Sequence, residues 1–239
     1  KKEAFQQARP ELILMQDLCH VCSVTPDQLT QAIQSLQPQP EMLILSPTTL
    51  QDVMHDIERI ARAVGAVPKG EALATHLRDR LERVRLRTEK AGVRPRVVCL
   101  EWLDPLYVAG HWVPEMIDLA GGYDVLGSKD SPSYQTTWDD VAAAQPDVVI
   151  AMPCGYSVDR TLNELQQIGP VQTAWQRAQT SWPNMYVVDA GSYFSRPGPR
   201  LIDGVELLAA ILHPDHDRPL DSSRATKLET SVLAGDSAP

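Results

Sequence analysis

Short, continuous apolar runs alternate along this chain with longer stretches whose apolar residues recur at helical spacing. Residues 11–15 (Glu-Leu-Ile-Leu-Met) and 42–45 (Met-Leu-Ile-Leu) read as buried parallel strands, because a strand covered on both faces loses its in–out alternation. Between them, Thr25-Pro26-Asp27 predicts a helix start: a capping hydroxyl followed by proline at the first helical position. After the second run, Thr48 or Thr49 caps a predicted helix. Its stripe is Leu50, Val53, Met54, Ile57, Ile60, Ala61 and Val64, ended by Gly65. Residues 70–90 are mostly charged, with one narrow stripe of Leu73, Leu77, Leu81 and Val84. That pattern predicts a helix about 30 Å long, touching the body of the protein along one side only. Ala91-Gly92 and Pro95 end it.

The alternation then resumes. Residues 96–100 predict a strand, and 113–120 a helix that stops at Gly121-Gly122. Helix 138–144, strand 147–152, helix 159–167 and strand 185–188 follow. A helix over 201–212 rests on Ile202, Val205, Leu208, Ala209 and Leu212. Beyond Pro214 the chain is polar and aperiodic, which predicts a disordered tail over 215–239.

Two segments repeat each other. Ala8-Arg9-Pro10-Glu11-Leu12-Ile13-Leu14-Met15-Gln16 matches Ala144-Gln145-Pro146-Asp147-Val148-Val149-Ile150-Ala151-Met152. Each ends a helix, turns on proline, places one acid and enters a buried strand. The repeat predicts two α/β lobes of similar plan: a partial lobe over 1–66, a connecting helix within 67–93, and a second lobe over 94–214. About 50 residues precede the repeated strand in the second lobe, against very few in the first. The first lobe is therefore expected to be N-terminally truncated, lacking its opening strand–loop–helix unit, unless another segment fills that place.

Composition narrows the function classes. The 239 residues are 43% hydrophobic and 22% charged, with a formal net charge of −9. That acid excess argues against sequence-independent nucleic-acid binding, which needs clustered Lys and Arg. No apolar run approaches the roughly 18 residues of a membrane span. Four cysteines are too few for a disulfide-built scaffold of this length. The aromatic residues are unevenly placed. Only Phe5 lies in the first 101 positions, and the rest lie between Trp102 and Phe194.

Open α/β sheets bind ligands in the loops beyond the carboxyl ends of their strands. Here those loops are 101–112, 153–156 and 189–200, which carry Trp102, Trp112, Tyr156, Tyr193 and Phe194 with His111 and Arg196. Such a set suits a flat, largely apolar ligand with a polar edge. The alternative for any one ring, Trp102 and Trp112 included, is core packing. His111 is either a ligand contact or a loop hydrogen-bonding residue. Cys19-His20-Val21-Cys22 is an isolated Cys-x-x-Cys, with Cys99 and Cys154 single. Structural thiols, a metal or ligand contact involving Cys19, Cys22 and Cys154, and redox chemistry all remain open for it. There is no phosphate-cradling glycine loop, no Gly-x-Ser-x-Gly and no His-Glu-x-x-His, so the chain reads as a non-enzyme.

Two α/β lobes joined by a long helix resemble the helix-linked substrate-binding proteins of ABC importers, which carry siderophores, haem and cobalamin. The blocks Asp17-Leu18-Cys19-His20-Val21-Cys22, Glu101-Trp102-Leu103-Asp104-Pro105 with Ala109-Gly110-His111-Trp112-Val113-Pro114-Glu115-Met116, and Tyr193-Phe194-Ser195-Arg196-Pro197-Gly198-Pro199-Arg200 are similar to the cobalamin-binding branch of that family. The resemblance covers roughly residues 8–213. It implies an α/β fold of two Rossmann-like lobes, a site formed by Trp102, Asp104, His111, Trp112, Tyr156, Tyr193, Phe194 and Arg196, and cobalamin or a related metal chelate as ligand. No catalytic cofactor or resident metal is implied. The implied partners are an ABC permease and the chelate, with no nucleic acid, and the implied state is a monomer. The implied location is the periplasm or another extracytoplasmic compartment, with a lipid anchor as one mode. The family's opening strand and Pro-Ser-rich loop have no counterpart here. The alternatives are the same fold carrying a ferric siderophore or haem, a thiol-based metal chaperone or redox protein using Cys19 and Cys22, and an excerpt that keeps the fold but binds nothing.

Overall fold

The computed structural model describes residues 7–16, 33, 37–167, 173, 175, 177, 178, 182, 184–214 and 220–228. The chain divides into two compact units, Lys1–Thr75 and His76–Pro239.

In the first unit, strands β1 (Leu12–Gln16) and β2 (Glu41–Leu45) pair in parallel, with Leu12 opposite Glu41 and Gln16 opposite Leu45. The helix expected at Thr25-Pro26-Asp27 lies outside the described residues. These apolar runs are less buried than their sequence predicts: Met15 is covered, while Leu14 stays 48% exposed. Among the described residues the two strands pair only with each other, and so narrow a parallel sheet offers its faces little area for helices to cover. Helix α1 (Leu50–Ala63) starts at Thr49 through a reciprocal capping box with Asp52. It ends before Gly65, which adopts a left-handed φ of 69°. Of its predicted stripe, Leu50, Val53, Met54 and Ala61 are buried, whereas Val64 is exposed. The long helix is α2 (Val67–Glu89), and the division between units falls within it. Gly70 lets α2 approach α1, because a Cβ there would lie 2.3 Å from the Ala61 Cβ. The covered line along α2 runs through Gly70, Ala74, Leu77, Val84 and Thr88; Leu73, expected on the stripe, is exposed.

The second unit is built on a seven-stranded sheet. Its strands are β3 (Arg96–Leu103), β4 (Leu106–Val108), β5 (Tyr123–Asp124), β6 (Tyr134–Gln135), β7 (Val148–Ala151), β8 (Met185–Val188) and β9 (Ala225–Lys227). The order is β6-β4-β3-β7-β8-β9, with β5 also paired to β3. β3, β5, β7 and β8 run parallel, and Val97–Leu100, Val148–Ala151 and Val187–Val188 are buried without alternation. Among the described elements of the unit are helices α3 (Val113–Leu119), α4 (Trp138–Ala143), α5 (Val158–Gln167), α6 (Ala190–Tyr193) and α7 (Arg200–Leu212).

The internal repeat extends to the backbone. Arg9 and Gln145 hold equivalent positions, and both adopt a left-handed φ, 41° and 47°. Each ends a helical turn and is followed at once by the proline that prevents continuation.

Two expectations are corrected. The segment 215–239 is not uniformly disordered: within it, Ala225–Lys227 pairs antiparallel with β8, and Ala225 and Leu228 are buried. A strand this short carries almost no local signal, and it forms because β8 offers an open row of backbone groups. Residues 101–112 are not simply a loop either. β3 continues through Trp102 to Leu103, with a register irregularity between Leu100 and Trp102, and returns as β4.

Candidate functional site

The parallel strands β3, β7 and β8 all end at one edge, and three segments leave the sheet there. The 153–156 turn is bent by Gly155 at φ 78°, with the Tyr156 N–H donating to the Pro153 carbonyl at 3.0 Å. It is tied to β3 by the Cys154 N–H, 3.0 Å from the Glu101 carbonyl. It is tied to the 189–195 segment twice. The Gly155 N–H donates to Ser195 Oγ at 2.9 Å, and the Gly191 N–H donates to the Tyr156 carbonyl at 2.9 Å. Asp189 caps α6 by accepting from the Ser192 N–H. Three separate pieces of chain are thus held in one frame by backbone groups and the Ser195 hydroxyl.

On that frame Trp102 and Tyr156 meet edge to face, with ring centroids 5.7 Å apart. Trp102 is 38% exposed and Tyr156 is buried, so the tryptophan presents a face while the tyrosine supports it. The Arg160 guanidinium lies 3.7 Å from the Tyr156 ring centroid, on the opposite sign of the ring quadrupole. Burial raises the Tyr156 phenol above its ordinary value, and a hydrogen bond to Glu164 adds to the rise.

A second group centres on the 109–112 turn. Gly110 packs so tightly that a Cβ would lie 2.4 Å from the Ser133 nitrogen, and His111 takes a left-handed φ of 55°. The His111 N–H donates to the Ser131 carbonyl at 2.7 Å. Next to it, burial raises the Glu101 carboxyl above the ordinary glutamate value; hydrogen bonds from Ser133 and the Gly110 N–H, and the nearby His111, oppose that rise. Trp112 is buried and donates its Nε1–H to the Phe194 carbonyl at 2.8 Å.

The predicted site residues therefore separate into those that face outward and those that build the frame. Trp102, Asp104, Cys154 and Arg196 are exposed, and His111 and Tyr193 are half-buried. Trp112 and Phe194 are buried and serve packing. Cys19 and Cys22 lie outside the described residues. Cys154 is a free thiol, and no group of His, Cys, Asp and Glu among the described residues is arranged to hold a metal ion. Trp138, Trp175 and Trp182 are not cleft aromatics: Trp138 packs at 5.0 Å from Trp175 and 6.1 Å from Trp182, beside the main hydrophobic core.

Sequence reasoning missed Arg160, Glu164 and Arg224. The first two follow Tyr156 at steps of four, a helical signal that was readable once Ser157 is recognised as the cap accepting from the Arg160 N–H. Arg224 had no such signal. β9 carries it to the carboxyl end of β8, where its guanidinium lies 4.7 Å from the Tyr193 ring centroid. The assembled edge offers aromatic faces bordered by cations, which suits a flat ligand with polar or anionic substituents.

Known proteins share this architecture. A family model described as periplasmic binding protein matches residues 2–169. The vitamin B12-binding protein of Vibrio cholerae serotype O1 (strain ATCC 39315 / El Tor Inaba N16961) is 25% identical over 169 residues, covering 69% of this chain and 56% of that protein. The chain thus spans little more than half the length of that curated relative. A periplasmic heme binding protein from Pseudomonas aeruginosa superimposes with a TM-score of 0.70 at 19% identity, covering 95% of this chain and 80% of the other. The periplasmic vitamin B12 binding protein BtuF of Vibrio cholerae gives a TM-score of 0.64 at 22% identity, covering 88% and 76%. At these identities the two structures establish a shared mixed α/β fold.

Proposed function

Because this chain belongs to the periplasmic binding protein family, we propose that it is the extracytoplasmic capture component of an ABC importer and that its ligand is cobalamin or a related corrinoid. The observation that carries the reading is the exposed Trp102 face, set against Tyr156 and Arg160 at the carboxyl edge of the second unit's sheet. A corrin ring is broad and apolar, and its amide-bearing rim needs hydrogen-bonding and charged neighbours. His111, Tyr193 and Arg196 supply the polar side of the proposed contact set, with Asp104 at the hairpin tip. The protein acts by binding and release rather than by making bonds. It delivers the ligand to a membrane permease, and no helix among the described residues is long and apolar enough to cross a membrane itself.

Titration with cyanocobalamin, read by tryptophan fluorescence, tests the proposal. The corrinoid absorbs in the range of tryptophan emission, so occupancy beside Trp102 quenches. The expected result is saturable, equimolar quenching. Haemin and a ferric hydroxamate siderophore are titrated in parallel. Tighter saturation by either reassigns the ligand while keeping the capture role, and no saturation by any of the three removes the proposal.

A further inference from the structure

The long helix α2 and the last helix α7 flank a cavity of about 700 Å³ within the second unit, bordered on its third side by Leu220, Asp221 and Arg224. Helical spacing explains its lining. Arg80, Arg83, Val84 and Arg87 lie on one face of α2, facing Glu206, Leu207 and Ala210 on one face of α7 and His213 just past its end. Val84 and Leu207 are buried and give the cavity an apolar floor, while charged groups surround it.

The charges do not balance. Arg80 is committed to α7, donating to Glu206 at 2.7 and 2.9 Å and to Asp203 at 2.5 Å. Arg83 and Arg87 have no carboxylate partner among the described residues, although each adds a like charge four residues or fewer from another arginine. Arg224 reaches the same cavity. Its Nη2 donates to the Asp203 carbonyl at 3.3 Å, but its Nε is buried without an acceptor. Asp221 also lines the cavity, and its carboxylate accepts from the Ser223 N–H and hydroxyl. Four lining arginines against Glu206, Asp221 and the Asp203 carboxylate that Arg80 also holds leave a cavity with one net positive charge in a chain whose net charge is −9. The buried Arg224 Nε–H costs stability unless an acceptor meets it, and the exposed Arg83 and Arg87 repel each other weakly along one helix face.

We propose that this cavity is a second binding site for a small organic phosphate, distinct from the Trp102–Tyr156 face and meeting the aromatic edge only at Arg224. Its phosphate oxygens accept from the forked donors of Arg83, Arg87 and Arg224, and its apolar body lies over Val84 and Leu207. A phosphate presents several strong acceptors in one group, which matches guanidinium geometry better than a lone carboxylate does. The volume lies within the range of small-molecule pockets and exceeds what a bare phosphate fills, so an apolar substituent belongs to the ligand.

Calorimetric titration of the whole protein at low salt, with phenyl phosphate, inorganic phosphate and phenol as separate probes, tests the assignment. Saturable equimolar binding of phenyl phosphate is expected, tighter than that of inorganic phosphate, with none for phenol. The double substitution Arg83→Gln/Arg87→Gln, at exposed positions, is expected to weaken phenyl phosphate about tenfold or more, since each charge-assisted contact carries a large share of such binding. Lys69→Gln, on an exposed part of α2 outside the cavity, is expected to leave it unchanged. Absence of saturation, equal binding of phenol, inorganic phosphate binding as tightly as phenyl phosphate, or an unaffected double variant overturns the proposal. Cyanocobalamin quenching in the double variant should match the parent, which separates a failure here from a failure at the aromatic edge.

Discussion

Asp124 is the most informative single perturbation in the second unit. It sits on the short strand β5 beside β3, and its Oδ1 accepts from the Leu126 N–H at 3.1 Å and the Gly127 N–H at 2.7 Å. Its Oδ2 is buried without a partner. Burial pushes its pKa from the ordinary 3.8 up to about 6, against the opposing pull of the two backbone donors. The native state therefore keeps a proton that the unfolded chain has already released over that interval. The contribution of Asp124 to stability is greatest below the lower value, falls as pH rises through it to about 6, and is flat above. A shift of about two units at about 1.4 kcal/mol each corresponds to roughly 3 kcal/mol lost by neutral pH. Asp124→Asn keeps an oxygen for the two backbone donors and removes the ionisation. It is expected to be more stable than the parent by up to about 3 kcal/mol at pH 8, with the difference shrinking toward zero near pH 4. Urea unfolding followed by tryptophan emission measures this, because all five tryptophans lie between Trp102 and Trp182 and so report the unit that contains Asp124. Taking the difference between variant and parent at each pH cancels the other titrating groups. A difference that stays constant from pH 4 to 8, or a variant less stable at pH 8, refutes the reasoning.

Gly110→Ala brings a Cβ to within 2.5 Å of backbone atoms of Ser131, Pro132 and Ser133, which cannot swing aside. A loss of about 1–3 kcal/mol or more is expected in urea unfolding, together with weaker cyanocobalamin quenching as His111 is displaced. A fully stable variant contradicts that packing. Trp112→Phe leaves the buried Phe194 carbonyl without its indole donor. Its unfolding midpoint should drop by the equivalent of about 1–3 kcal/mol, and an unchanged midpoint means that another donor replaces the indole. Trp102→Ala removes a ring that is 38% exposed and packed edge to face on Tyr156, so stability should fall by about 1 kcal/mol or more while cyanocobalamin affinity falls about tenfold. Equal affinity in that variant places the ligand elsewhere.

Much of the fold was legible because it is written locally. The continuous apolar runs at Leu12–Met15 and Val148–Ala151 become parallel strands, and Thr49 with Asp52 closes the predicted cap. The repeat around Ala8 and Ala144 reappears as a matching left-handed residue before proline. The candidate site was legible only in part. Reading residues 101–112 as a loop placed Trp112 beside Trp102, whereas the strand and turn between them bury one ring and expose the other. The concentration of aromatics after residue 101 has two causes, a core cluster at Trp138, Trp175 and Trp182 and an edge pair at Trp102 and Tyr156.

The sequence by itself determined the element types, the α/β class and the segments that leave the carboxyl edge of the sheet. Those properties depend on residues within about one helical turn or a few strand positions of one another. Only the tertiary structure decided that Ala225–Lys227 joins β8, that Arg224 stands over Tyr193, that Arg160 supports the Tyr156–Trp102 pair, and that the α2 arginines share a cavity with α7. These contacts join residues far apart in the chain, and each depends on which backbone groups and faces the assembled sheet leaves open. Local periodicity carries no record of that choice.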